Sequence, residues 1–238
     1  MKKKNIILLT TETPHHFFFI NEISKISNLI VIFEKKDLKP NFKTKHNYEK
    51  KQFSYEKKKW FNNSKIKINK KLKFLYIDNI NDIKVVDFIK MNESDIIFSF
   101  GVSRLKKEFI NSINKKIYNF HGGDTSFYRG LDNHLWSLYH TDPRGLKITL
   151  HQVDEKLDTG SVIFKEKLNL TKSNNLHEIR SINTELCIKL AKKFIKEKKI
   201  TKIKQKKIGR YYSFMPAEIK NLINNKYKAK LKKIYNDC

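Results

Sequence analysis

Three polar side chains, set at two places in the chain, have the types and spacing that transfer of an acyl group requires. Asn119 and His121 stand two apart at the end of an apolar run, residues 116–120 (KIYNF), and on a strand two such side chains project to one face. Asp158 lies in a turn-forming stretch, Glu155-Lys156-Leu157-Asp158-Thr159-Gly160, within reach of them if the flanking strands adjoin. Taken singly, an Asn-x-His pair arises by chance and an Asp before Thr-Gly is a turn residue. Together they suit acyl transfer to an amine: an amide to donate to a developing oxyanion, an imidazole to take or give a proton, and a carboxylate to fix the imidazole. No Ser stands in a nucleophile-elbow context and no paired Cys/His motif appears, which argues against a covalent acyl-enzyme. His15, His16, His121, His134, His140 and His151 show none of the short-range spacings of a zinc site, so no metal is expected.

The elements that must hold these residues follow from the apolar pattern. Residues 5–10 (NIILLT), 29–33 (LIVIF) and 95–100 (DIIFSF) are compact apolar runs, the form of parallel strands covered on both faces. A short strand at 74–77 and helices at about 15–24, 83–90 and 105–113 complete an alternation of strand and helix, the pattern of an α/β sheet built from βαβ units. Residues 116–120 make a fifth strand, 131–140 a helix, and 147–154 and 161–168 two strands joined by the turn that carries Asp158. Open α/β sheets place ligands at the carboxyl ends of their strands, where Asn119 and His121 stand. Leu176, Ile179, Ile182, Leu186, Leu190 and Phe194 recur at helical spacing, and a short appendage opens at Gly209. The organisation expected is a catalytic unit over 1–170, with a Lys-rich insert at about 34–73, followed by a helix and small appendage over 171–238.

Several residues admit two readings. The insert carries isolated aromatics, among them Tyr48, Phe53, Tyr55 and Trp60, and reads as a solvated charged helix with a few anchors or as a flap over substrate. Thr10, Thr11, Thr13, His15 and His16 cluster where the first strand meets a helix N-terminus, a natural anion site; alternatively, Thr10 and Thr13 cap that helix. His134 is open between substrate contact and packing, whereas Trp136 is expected to pack.

The 238 residues carry 51 Lys+Arg against 24 Asp+Glu, a formal charge of +27, with 39% hydrophobic and 12% aromatic residues. Such a composition excludes a disordered polymer, and the length suits one domain or one large domain with an appendage. The charge favours polyanions, whether nucleic acid, anionic membrane or phosphorylated metabolites, without choosing among them. Most of the excess is Lys scattered with Asn and Ile rather than clustered on one element, the mark of background composition. Cys187 and Cys238 are too few for a disulfide framework, and the apolar run at 6–9 is too short for a signal peptide core or a membrane span. A cytoplasmic protein without a membrane anchor is expected.

Asn119-Phe120-His121, then Tyr128-Arg129-Gly130, then Leu157-Asp158-Thr159-Gly160 come in an order and spacing that resemble the signature of the formyltransferases that use 10-formyltetrahydrofolate. That family includes methionyl-tRNA formyltransferase, glycinamide ribonucleotide formyltransferase and sugar N-formyltransferases. The resemblance covers about residues 5–168. It implies a Rossmann-like, mostly parallel sheet with a small C-terminal appendage, and catalysis by Asn119, His121 and Asp158. By the same likeness, Phe100, Gly101, Ser103 and Leu105 on one loop, with Val153 and Asp154 on the Asp158 turn, would hold the pterin of 10-formyltetrahydrofolate. Tyr128, Arg129 and Gly130 would shape the loop beside the formyl carrier. Asn119 and a protonated His121 would stabilise the oxyanion, while Asp158 orients His121 and helps to move the proton.

Two departures from the family pattern bear on the acceptor. His121-Gly122-Gly123-Asp124-Thr125-Ser126 stands where the tRNA and purine enzymes carry His-Pro-Ser-Leu-Leu-Pro, a variation similar to that of polysaccharide-linked formyltransferases. The stretch after residue 168 also leaves little room for a tRNA-gripping domain. The expected acceptor is therefore the amine of a nucleotide-linked sugar, with Thr10, Thr11, His15, His16, Gly122, Gly123 and Asp124 on its side of the site. The alternatives are methionyl-tRNA or another amine acceptor, and a nucleic-acid-binding protein on the same fold. The oligomeric state is left open, with the strand at 211–215 and the final helix as candidate contacts of a homodimer.

Overall fold

The computed structural model describes residues 3–35, 40–66, 68 and 72–236. Cys238 and parts of the Lys-rich insert, 36–39, 67 and 69–71, lie outside the described residues. The first half alternates strand and helix: β1 (Asn5–Thr10), α1 (Pro14–Ser24), β2 (Asn28–Glu34), α2 (Asn47–Phe61), β3 (Lys73–Ile77), α3 (Ile83–Lys90), β4 (Ile96–Phe100) and α4 (Lys107–Ile113). Then come β5 (Ile117–Gly122), β6 (Tyr128–Gly130), α5 (Asn133–His140), β7 (Lys147–Gln152), β8 (Val162–Lys167), α6 (Ile179–Lys196), β9 (Arg210–Tyr212) and α7 (Ala217–Asn236).

Seven strands form one sheet in the order β3-β2-β1-β4-β5-β7-β8, parallel as far as β5, with β7 antiparallel to β5 and β8 antiparallel to β7. The continuous apolar run of β1 is explained by burial on both sides. Ile6 and Leu8 join the core that α1 and α6 cover, while Ile7 and Leu9 join the core under α3 and α4. Each such side chain, withdrawn fully from water, contributes about 1.5–3 kcal/mol. The chain winds outward from β1 to β3 and then returns to β4 on the other side of β1. That reversal opens a crevice at the carboxyl ends of the strands.

The C-terminal residues share the main core. Leu190, Ala191 and Phe194 of α6, together with Met215, Ile223, Tyr227 and Leu231, pack in one cluster with Ile6, Phe98 and Phe120. A second, two-stranded sheet joins β6 to β9 in parallel, across some 80 residues of sequence. The strand at 211–215, a candidate contact with a second copy, is therefore used within the chain, and Met215 is fully buried. The described part of the insert is a single helix, α2, anchored by Tyr48, Gln52 and Glu56 and by Trp60 stacked on Phe18. The Glu56 carboxylate, wholly buried, takes a two-pronged ion pair from Arg180. Among the described residues, no helix is long and apolar enough to cross a membrane.

Candidate active site

A cleft of about 730 Å³ opens beside the ends of β4 and β5. Loop 101–105 forms one wall, β6 another, and the turn after β7 the third. The alternation of β5 sends Asn119 and His121 to the same face, as their spacing requires, and both line the cleft. Residues 153–161 fold back so that Asp158 meets them. Its Oδ2 lies 3.4 Å from His121 Nδ1 and accepts a hydrogen bond of 2.9 Å from the Gly130 backbone N–H. Asp158 adopts a left-handed backbone, φ 56°, uncommon for a residue with a side chain and held here by that bond and its neighbours.

Sequence reasoning missed a fourth polar member, His151. Antiparallel pairing sets it directly opposite Asn119. Its Nε2 is 3.3 Å from Asn119 Nδ2 and 3.4 Å from Asp158 Oδ1, while its Nδ1 lies 2.9 Å from the Gln152 carbonyl oxygen. With its proton on Nδ1 the ring donates to that carbonyl and accepts from the Asn119 NH2 group at Nε2; with its proton on Nε2 it donates to Asp158 instead. The alternation of β7 was legible, but the register that pairs residue 151 with 119 was not.

His121 is almost fully buried, and its Nε2 sits between an acceptor, the Tyr128 carbonyl oxygen at 2.9 Å, and a donor, Asn133 Nδ2 at 3.1 Å. A proton on Nε2 goes to Tyr128; a bare Nε2 accepts from Asn133. Burial pushes the imidazole below its ordinary pKa, and the Asp158 carboxylate pulls the other way without prevailing. Burial also raises the Asp158 carboxyl, but His121, His151 and the Gly130 N–H overcome this and hold it well below the carboxylate range. The resting pair is thus an ionised Asp158 beside a neutral imidazole. Burial disfavours the protonated His121 expected from sequence, while Asp158 and the Tyr128 carbonyl favour it.

The remaining expected residues divide. Gly101, Ser103, Leu105, Arg129, Gly130, Val153 and Asp154 line the cleft; Phe100 and Tyr128 stand behind it. The Phe100 carbonyl accepts from Thr10 Oγ1, and Tyr128 donates its hydroxyl to Asp142. Of the expected acceptor-side residues, Gly122 lines the cleft while Gly123 and Asp124 do not. Asp124 is buried and ion-paired with Lys147 at 3.1 Å and Lys165 at 2.5 Å, so its charge is spent within the fold. Thr10, Thr11, His15 and His16 are also off the wall. Thr11 and Thr13 hydroxyls bond the rings of His15 and His16, and Thr13, although the N-cap residue of α1, makes no side-chain capping hydrogen bond. The His16 ring backs Gly101, whose φ of 83° and lack of a side chain are both required, since a Cβ there would stand 2.5 Å from the ring. His134 packs under Gly122, bonded to the Lys147 carbonyl, and burial lowers it to about 4. Trp136 packs as expected, its indole N–H on the Ser213 carbonyl. No described residue of the insert lines the cleft, whereas Arg104, Lys156 and Tyr211, not singled out by sequence, do.

Residues 5–186 match the family described as formyl transferase. The chain belongs to that family. A curated relative, the bifunctional polymyxin resistance protein ArnA of Wigglesworthia glossinidia brevipalpis, is 30% identical over 165 residues, 69% of this chain. The chain spans 23% of the length of that relative. Among solved structures, a 4-N formyltransferase from Francisella tularensis superposes with a TM-score of 0.56 at 22% identity, covering 88% of this chain and 76% of that one. The formyltransferase PseJ from Anoxybacillus kamchatkensis, solved with UDP-4,6-dideoxy-4-formamido-L-AltNAc and tetrahydrofolate, gives 0.55 at 18% identity over 97% of both chains. A sugar N-formyltransferase from Shewanella sp FDAARGOS_354 gives 0.59 at 14% identity, over 88% and 76%. At these identities the likeness is one of fold, and the expected Rossmann-like, mostly parallel sheet is the fold observed. Among the described residues, no group of three or more His, Cys, Asp and Glu side chains could hold a metal ion.

Proposed function

We propose that the protein transfers the formyl group of 10-formyltetrahydrofolate to the amine of a nucleotide-linked amino sugar. The observation that carries this reading is the convergence of Asn119, His121 and Asp158 on one cleft in a chain of the formyl transferase family. The sugar is favoured by PseJ, solved with a UDP-linked formamido sugar and tetrahydrofolate, whose fold this chain shares over 97% of both chains. The cleft fits a folate. Leu105, Val153 and Leu157 supply apolar wall, and the Ser103 Oγ is a buried polar atom without a partner in the fold. Backbone along 101–105 and 153–158 offers the donors and acceptors that the edge of a pterin ring asks for. Gly122 would stand on the acceptor side.

The carrier supplies an electrophilic formyl carbon and a nitrogen leaving group. The acceptor amine attacks that carbon, forming a new C–N bond as the bond to the carrier nitrogen breaks. Asn119, hydrogen-bonded to His151 in its Nδ1-protonated form, donates its free amide N–H to the oxygen on which negative charge collects. The neutral His121 takes the proton that the amine sheds. The imidazolium so formed lies between the Tyr128 carbonyl and the ionised Asp158, the arrangement that stabilises it, and the proton passes on to the leaving nitrogen. No protein nucleophile is needed.

Incubation of the purified protein with 10-formyltetrahydrofolate and a panel of nucleotide-linked amino sugars, alongside methionyl-tRNA, tests the acceptor. Formylation of a sugar supports the reading. Transfer only to tRNA would overturn the specificity, and salt-sensitive RNA binding without folate binding would overturn the activity.

A further inference from the structure

Beyond the region that matches the family, the chain returns to the cleft as a strap, residues 203–215. Ile203 exchanges two backbone hydrogen bonds of 2.9 Å with Val162, just past the Asp158 turn. Gly209 N–H bonds the Thr125 carbonyl, and Arg210 N–H that of Phe127. The close approach demands glycine at 209, since a Cβ there would stand 2.4 Å from the Phe127 carbonyl carbon. The Phe127 ring has both the Arg144 guanidinium, at 4.2 Å, and Lys207 Nζ, at 4.6 Å, over it. Arg129 then ties strap to turn, donating Nε to the Gly209 carbonyl and Nη1 to that of Leu157.

At the centre of these contacts is Gln205. Its amide NH2 donates to the backbone carbonyls of Asp158, at 3.1 Å, and Gly160, at 2.7 Å, and its Oε1 accepts from the buried Thr125 hydroxyl at 2.8 Å. One side chain thus joins the turn that carries Asp158 to the segment that follows His121. We propose that Gln205 is a positioning residue for Asp158, fixing the carboxylate at its distance from His121 through the backbone of the turn. This rests on the formyl-transfer reading for its catalytic consequence. The physical need is visible in the turn itself. Asp158 holds a left-handed conformation that a side chain disfavours, and such a backbone persists only where its surroundings over-determine it. The Gly130 N–H fixes the carboxylate end, and Gln205 fixes the carbonyl end.

The test is Gln205→Met, which keeps the side-chain volume and removes all three hydrogen bonds. Turnover should fall by between about tenfold and about a hundredfold, the range for a reacting group displaced by a fraction of an ångström to one ångström. The KM for 10-formyltetrahydrofolate should change less than turnover does, because the folate wall at 101–105 is untouched and only the wall at 153–158 loosens. In an Asp158→Asn background the same substitution should cost less than about twofold, since a residue acting through Asp158 has nothing left to position. Equal losses in both backgrounds, or full turnover in Gln205→Met, would overturn the proposal. Amide hydrogen exchange over 153–161 gives a readout independent of catalysis: it should quicken in Gln205→Met, and unchanged protection there would also overturn the proposal. If Gln205→Met does not fold, Thr125→Val removes one of the three bonds and should raise exchange in the same turn by a smaller amount. If the native protein has no formyl-transfer activity, the function reading fails while the exchange result still decides the role of Gln205.

Discussion

Lowering the pH from 7 to 4.5 should unfold this protein through its buried histidines rather than its carboxylates. Burial holds His16 at about 3 and His134 at about 4, and pushes His15 and His121 down as well. A base whose folded pKa is depressed favours the folded state in its neutral form. The unfolded chain takes its proton near the ordinary imidazole value of 6.5 while the folded chain does not. The stability is therefore full above that pH, lost as pH falls below it, and levels off only below the folded pKa. Each such histidine gives a slope of about 1.4 kcal/mol per pH unit. At pH 4.5 His16 and His134 alone remove roughly 5 kcal/mol, comparable with the whole stability of a typical domain. Glu56, whose carboxyl burial raises despite Arg180, works in the opposite sense, and Asp158 adds its loss only at still lower pH. Urea unfolding followed by the fluorescence of Trp60 and Trp136 at a series of pH values measures the slope. His16→Gln should reduce it by about 1.4 kcal/mol per pH unit. Stability that stays level between pH 7 and 5 would refute the reasoning, because it requires these rings to be protonated or hydrated in the fold.

Asp124→Asn leaves Lys147 and Lys165 beside an uncharged amide in a largely buried site and should destabilise the fold by about 2–4 kcal/mol, read as a lowered urea midpoint with the m-value unchanged. Glu34 is a buried carboxylate that accepts from the backbone N–H groups of Ile80 and Ser103. In Glu34→Gln an NH2 group faces one of those donors, so the loop at 101–105 should shift and folate affinity should fall about tenfold, measured by titration with a folate analogue. His151→Leu frees the Asn119 amide to rotate and should lower kcat by about tenfold with the folate KM unchanged, a split that steady-state kinetics resolves.

The parts of this architecture that were legible in the sequence are those set by local pattern. The double-sided burial of β1 shows in NIILLT, and α3 was bounded by its own apolar spacing at 83–90. Asn119 and His121 were legible because a strand's two-residue period places them together whatever the sheet around them. What escaped depends on pairings between distant segments. His151 matters only through its register with Asn119, and Gln205 only because a strap from beyond the helix α6 returns to the Asp158 turn. The internal partners of Asp124 and of the Thr-His cluster at 10–16 were hidden from the sequence in the same way. The polarity of that carboxylate and that cluster suggested a ligand, but Lys147, Lys165 and the hydroxyls of Thr11 and Thr13 answer it from within the chain.

The central claim, that Asn119, His121 and Asp158 together move a formyl group, is tested most directly by single-turnover transfer from 10-formyltetrahydrofolate to the accepted amino sugar in native protein and in Asn119→Ala. Native protein should release tetrahydrofolate in step with formylated sugar, and Asn119→Ala should do so about a hundredfold to a thousandfold more slowly with folate binding intact, the cost of one lost oxyanion donor. Equal rates in the two proteins, or no tetrahydrofolate release from the native one, would contradict the account.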